Sequence, residues 1–254
     1  MYNKYKPAVI LLLLTTGTAI FNACHPVYHL ASIEKHSTQV QPGEIDNDMD
    51  AVIAPYRDKL QASMDEVIGQ CAKTMIKERP ESTLGNWFGD ALKTMADRTS
   101  SKPVDFAVQN FGGIRVSNLV KGPVRVGTIY ELMPFDNYLV IVSLDSSALL
   151  KLINQMASSD GWPISKEATY VIRDGQAENL RIDGRPVDGT RMYRIAMPDY
   201  IANGGDNCDF LKDYPQEQSG ELIRDGLIQF VRDETKAGHP LSAALDGRIK
   251  IIKQ

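Results

Sequence analysis

Val104-Asp105-Phe106-Ala107-Val108-Gln109 alternates around Phe106 and Val108 and runs without a break into Asn110-Phe111-Gly112-Gly113-Ile114-Arg115. The first half reads as a short buried strand. In the second half, paired glycines let the backbone turn sharply and approach a ligand closely. Asn110 can fix that loop or accept from a ligand, and Arg115 can make a bidentate pair with phosphate or carboxylate. The same arrangement recurs at Arg191–Met197, a strand that ends at Pro198 and feeds Tyr200-Ile201-Ala202-Asn203-Gly204-Gly205-Asp206. A third loop, Met133-Pro134-Phe135-Asp136-Asn137, is a turn before the apolar strand Leu139–Leu144.

Working outward, Asp46 to Glu66 has Met49, Val52, Ile53, Tyr56, Leu60 and Met64 at helical spacing, with Pro55 predicting a kink or break inside it. Val67–Lys77 reads as extended chain. Ser82 or Thr83 caps a helix through about Ala96, with Leu84, Trp87, Phe88, Ala91, Leu92 and Met95 on one side. Val124–Val126 is a strand and Thr128–Met133 a helical turn. Ser146–Ala157 is a helix with Leu149, Leu150, Ile153 and Met156 inward. Strands at Ala168–Arg173 and Leu180–Ile182 flank turns at Asp174-Gly175 and Asp183-Gly184. Ser219–Lys236 is a helix and Gly247–Ile252 a closing strand. Strands and helices mix without strict alternation, which predicts an α+β, layered mixed-sheet domain.

The chain has 254 residues and a formal net charge of -4, enough for one large domain or two small ones. No basic stripe stands out, so nucleic acid is not an expected partner. Lys4 and Lys6 precede an apolar stretch, Ala8–Ile20, too short to span a bilayer comfortably, and Phe21-Asn22-Ala23-Cys24 ends it. A small residue before a Cys at that point resembles a bacterial lipobox. Residues 1–23 are then a lipoprotein signal peptide, Cys24 the lipidated residue, and 24–45 a flexible tether before a domain at 46–254. The alternative is a plain secretory peptide, or a short anchor helix, with an incidental Cys. Cys71 and Cys208 could pair in an exported protein, although Cys71 lies in an apolar run and reads as a small buried hydrophobe.

Each loop has a bland reading: a glycine turn with a surface Arg, a Phe closing the core, and an Asn-Gly turn with a solvated Asp. The functional reading joins them. Phe135 and Tyr200 offer aromatic faces to a base, Arg115 pairs with an anion, and Asp206 accepts from hydroxyls. Only 4 His are present, and His25, His29 and His36 lie in the N-terminal tail. The pattern offers a pocket for a flat, anionic ligand and names no catalytic group. Trp162, in Gly161-Trp162-Pro163, reads equally as a pocket edge or a packed surface aromatic.

The ordered set Leu84-Gly85-Asn86, Asp90-Ala91, Asn110, Gly112-Gly113-Ile114-Arg115, Pro134-Phe135, Asn203-Gly204-Gly205-Asp206 and Gly247-Arg248-Ile249 resembles the C-terminal domain of the 5'-nucleotidase family. The resemblance runs from about Asp46 to Lys253. It implies that Phe135 and Tyr200 sandwich a base, Arg115 contacts the phosphate side, Asp206 the ribose, and Asn110 and Asn137 add polar contacts. The family's basic residue before its Leu-Gly-Asn helix start is matched here by Arg79. The second clamp aromatic is often Phe in the family and is Tyr200 here. The family's metallophosphatase domain, with its histidine-rich dimetal motifs, has no counterpart in these residues. His239 is the one histidine outside the tail, and a dimetal site needs several His, Asp and Asn side chains converging.

The resemblance therefore implies a nucleotide- or nucleoside-binding domain for an AMP- or adenosine-like ligand, with no cofactor of its own. Divalent metals would sit on a separately encoded metallophosphatase subunit, making this the substrate-binding part of a split nucleotide phosphohydrolase in the bacterial cell envelope. Alternatives are a stand-alone, lipid-anchored envelope nucleotide-binding lipoprotein and an interaction module whose pocket is a relic.

Overall fold

The computed structural model describes residues 47–252. The expected signal peptide, Cys24 and the tether lie outside them. Twelve strands and six α-helices are formed among these residues. In chain order, helix α1 (Asn47–Asp65), β1 (Val67–Cys71) and β2 (Met75–Ile76) lead to helix α2 (Thr83–Thr99) and β3 (Phe106–Ala107). Then come β4 (Asn118–Leu119), β5 (Gly122–Arg125), α3 (Val126–Leu132), β6 (Tyr138–Leu144) and α4 (Ser146–Ser158). Strands β7 (Ala168–Arg173), β8 (Gln176–Ile182), β9 (Arg185–Pro186) and β10 (Tyr193–Pro198) follow, with the short α5 (Asp199–Ala202) directly after. The chain continues through β11 (Gln216–Leu222), α6 (Ile223–Lys236) and β12 (Ile249–Ile251). The architecture is α+β with mixed sheets, as the unalternating element pattern predicts.

The central sheet has the order β11-β6-β10-β3. Its strands β6, β10 and β3 are buried on both faces, successive side chains pointing to opposite sides. Leu139, Ile141, Ala196 and Ala107 face a core shared with α2, α6 and the β1–β5 pair. Val140, Val142, Ile195, Met197 and Phe106 face a second core with α4 and the sheet β12-β7-β8-β9.

Helix α2 begins where its sequence says: the Ser82 hydroxyl accepts from the Gly85 N–H at 3.0 Å, a side-chain N-cap. All six residues expected on its inner face are buried. Both hairpin turns carry left-handed Asp-Gly pairs, with φ of 49° and 73° at Asp174-Gly175 and 50° and 72° at Asp183-Gly184.

Several expectations change. Helix α1 is continuous through Pro55, because on an exposed helix the Ala51 carbonyl that Pro55 cannot bond is left to water. Its apolar stripe stays open, with Val52 65% and Tyr56 76% exposed. The extended chain at 67–77 divides into β1 and β2, and the strand expected over 104–109 shortens to β3, with Val108 in a lone bridge to Ile164. In α4, Leu150 is exposed and Leu152 is buried in its place. The helix expected from Ser219 begins at Ile223, and Gln216–Leu222 is instead an edge strand on β6. Cys71 and Cys208 are buried as free thiols in different cores. Among the described residues no helix is long and apolar enough to cross a membrane.

The C-terminal strand is pinned by one cation. Arg248, 3% exposed, donates to Asp90 Oδ1 and the Ile164 carbonyl at 2.8 Å each, and to Asp246 Oδ2 at 2.6 Å. Its Nε donates to Asp246 Oδ1 at 2.9 Å. The guanidinium fork is thereby fully engaged.

Candidate functional site

Strand direction brings the three loops together. β3 and β10 run parallel, with Phe106 opposite Ile195, so the Asn110 and Tyr200 loops leave from the same end. β6 runs antiparallel to β10, with Leu139 opposite Pro198. Its start, and therefore the Phe135–Asn137 turn, lies at that end as well. The three segments enclose a cavity of about 370 Å³ lined by Asn110, Arg115, Phe135, Asn137, Tyr200 and Asp206, together with Gly112 and Gly113. That volume suits a small ligand.

The wall is prearranged by hydrogen bonds. Asn110 Nδ2 donates to Asp206 Oδ2 at 2.7 Å, joining positions 96 residues apart. Tyr200 Oη donates to Asp206 Oδ1 at 3.1 Å. Burial, and then that hydrogen bond, push the Tyr200 phenol upward, so it remains a donor at neutral pH. Tyr200 also lies against its own loop. A Cβ on Gly205 would come within 2.5 Å of ring atoms Cε1 and Cζ, so only glycine lets the ring settle there. Phe135 is 38% and Tyr200 45% exposed, large accessible fractions for rings that line a pocket.

The charge on the wall is positive on one side. Arg115 Cζ stands 5.6 Å from the Phe135 ring centroid, and its Nη1 is 3.5 Å from the Gly112 carbonyl. Arg79 does not line the pocket. Its guanidinium is held over the Phe111 ring, 4.1 Å from the centroid and one residue before the glycine turn, and that seat takes it off the pocket wall. Sequence reasoning missed Lys77, whose Nζ donates to the Ile114 carbonyl at 2.6 Å and lies 4.3 Å from the same Phe111 ring. Burial, and then the charges of Arg115 and Arg79, lower the Lys77 ammonium. Among the described residues no ion pair to a carboxylate is formed by Lys77, Arg79 or Arg115. Three such cations around one loop make a region suited to an anion. Lys77 stands two residues before Arg79 in an extended segment, which was the available signal.

Trp162 is buried in the second core and does not reach the pocket. Another cleft, of about 280 Å³, lies beside Trp87 and Phe230. Three of its five charged groups, Asp90, Asp246 and Arg248, are paired with one another; Lys166 and Glu234 also line it. Among the described residues no three His, Cys, Asp or Glu side chains converge as a metal site. His239 pairs with Glu234 at 3.5 Å on the surface.

Comparison with known proteins reaches the same region of the chain. A cell wall protein of Listeria monocytogenes, Lmo0130, is 25% identical over 88% of this chain and 31% of its own length. Protein UshA of Escherichia coli is 27% identical over 66% of this chain and 31% of its own. The chain thus spans under a third of the length of these relatives. A 5'-nucleotidase precursor from Thermus thermophilus shares the fold, with a TM-score of 0.69 at 24% identity over 82% of this chain and 43% of that one. The family model described as 5'-nucleotidase, C-terminal domain matches residues 67–213, more than half the chain, and the protein belongs to that family.

Proposed function

We propose that this chain binds a nucleotide or nucleoside and serves as the substrate-binding part of a split nucleotide phosphohydrolase. The observation that carries the reading is the pocket itself. Two partly open aromatic rings, a carboxylate held by two donors and an arginine with no acidic partner among the described residues line one cavity. Stacking, hydroxyl recognition and anion pairing are the three demands of a nucleoside phosphate. Asn110 and Asn137 would add polar contacts. Arg79 acts from outside the wall, by contributing positive potential through Phe111.

The proposal places the hydrolytic metals on a separately encoded metallophosphatase partner. Membership of this family supports the pairing. An exported, lipid-anchored envelope location, with Cys24 as the modified residue, is part of the proposal. The Listeria relative's description as a cell wall protein supports the envelope.

Calorimetric titration with adenosine and AMP tests the pocket. Phe135→Ala should weaken both ligands by about 1–3 kcal/mol, the measured range for base–aromatic stacking. Undiminished binding by the variant would remove Phe135 from the clamp. Mixing with a candidate metallophosphatase should raise AMP hydrolysis above that of either chain alone. Binding without any such rise would favour a stand-alone envelope binding lipoprotein.

A further inference from the structure

Gln109 carries the chain out of the sheet and into the glycine loop. It is fully buried and is not part of the pocket wall. Its Nε2 donates to Asn110 Oδ1 at 2.9 Å, while Asn110 Nδ2 donates to Asp206 Oδ2 at 2.7 Å. Tyr200 holds the other carboxylate oxygen. Gln109 Oε1 is buried without a hydrogen-bond partner among the described residues, a costly state for an amide in an interior. The loop backbone rests on this amide pair. A Cβ at Gly113 would overlap Gln109 Nε2 and come within 2.7 Å of Asn110 Oδ1.

An amide side chain can present either its oxygen or its NH2 group. Toward a carboxylate only the NH2 group is attractive. That orientation turns Asn110 Oδ1 inward, where it needs a buried donor, and Gln109 Nε2 is that donor. The chain Gln109–Asn110–Asp206–Tyr200 therefore has one self-consistent direction, with every N–H and O–H pointing toward Asp206. Among the described residues two of the carboxylate's lone pairs are occupied, leaving the others to accept from a ligand.

We infer that Gln109 is a positioning residue: it fixes the Asn110 amide, and through it turns the Asp206 carboxylate to receive hydroxyl donors from a ligand's sugar. The inference rests on the nucleotide-pocket reading, and the ligands chosen separate the two. Adenosine carries the sugar hydroxyls and adenine does not, while both can stack.

In Gln109→Glu, an ionised carboxylate cannot donate to Asn110 Oδ1, but a protonated carboxyl can. Binding is measured at about pH 9 and about pH 5, on either side of the raised range expected for a buried carboxyl. At the higher pH the variant should bind adenosine about tenfold or more weakly than the unaltered chain, the loss of roughly one charge-assisted hydrogen bond. At the lower pH it should recover, and its adenine affinity should match the unaltered chain's at both. Gln109→Met, close in volume and never a donor, should be weak for adenosine at both pH values, with adenine again unchanged. Its thermal midpoint checks that it folds. Undiminished adenosine binding by Gln109→Glu at the higher pH, or by Gln109→Met at either pH, overturns the inference. So does a loss of adenine and adenosine together without recovery in acid, since that is the mark of a merely structural role. Failure of the unaltered chain to bind either ligand overturns the nucleotide reading, and this inference with it.

Discussion

Arg248→Met should destabilise the domain by about 3 kcal/mol, the lower end of the range for breaking a buried ion pair. For a domain of this size the thermal midpoint should fall by roughly 6–12 °C. The methionine fills much of the same volume and supplies none of the donors. Asp90, Asp246 and the Ile164 carbonyl all lose the guanidinium donors at once, while the backbone N–H groups of Lys166 and Arg248 stay on the two carboxylates. The lower end applies because the Asp90 and Asp246 side chains are themselves 35% and 47% exposed and can recover some hydration. The effect should depend on pH in a defined direction. The hydrogen bond from Arg248 holds the Asp246 carboxyl below the usual aspartate range, against its burial. A depressed carboxyl contributes stability above its unfolded value and loses that contribution as pH falls through the folded one. The gap between native and variant midpoints should therefore narrow on acidification below the ordinary aspartate value. A gap that is constant across that window would mean the ion pair contributes nothing beyond packing.

Arg115→Ala carries the second large effect, and it separates phosphate recognition from base recognition. AMP should lose about 1.5–3 kcal/mol of binding, the range for a charge-assisted contact, which is roughly a ten- to 150-fold rise in Kd. Adenosine should lose much less, because only the 5.6 Å approach to the Phe135 ring is removed. The side chain is exposed, so the AMP effect should shrink as salt rises. Equal losses for the two ligands would make Arg115 a support for the Phe135 ring and shift anion recognition to Lys77 and Arg79.

Much of this was legible because local chemistry and tertiary packing agree. Ser82 caps α2, the Asp-Gly pairs turn both hairpins, and Leu84 to Met95 fill one core. Six of the seven residues expected at the site from the sequence line one cavity. The failures have physical causes. Gln216-Glu217-Gln218-Ser219-Gly220 has no apolar alternation, because β11 pairs only with β6 at the sheet edge. Its strand character comes from a neighbour's backbone, which composition does not report. Leu150 and Leu152 are separated by two residues, about 200° around a helix, and only the packed sheet selects between them. The stripe on α1 has true helical period, yet Val52, Ile53, Tyr56 and Leu60 stay exposed, while Met64 at its C-terminal end packs against a core. Lys77 and Gln109 act on the pocket from behind it, through hydrogen bonds to loop carbonyls and to an amide. Sequence spacing carries almost no trace of such long-range support.

The parallel seam between β3 and β10, with β6 beside it, has one more consequence. The three loops are rooted on consecutive strands, so their anchor points stand about 4.8 Å apart from one strand to the next. The sheet is a ruler, and the loops are fittings mounted on its graduations. Substitutions in the loops can retune which base, sugar or anion is preferred. The gauge between the fittings is set by backbone hydrogen bonds that no side chain in the loops controls. Related domains built on the same seam would then diverge in chemical taste while accepting guests of similar breadth.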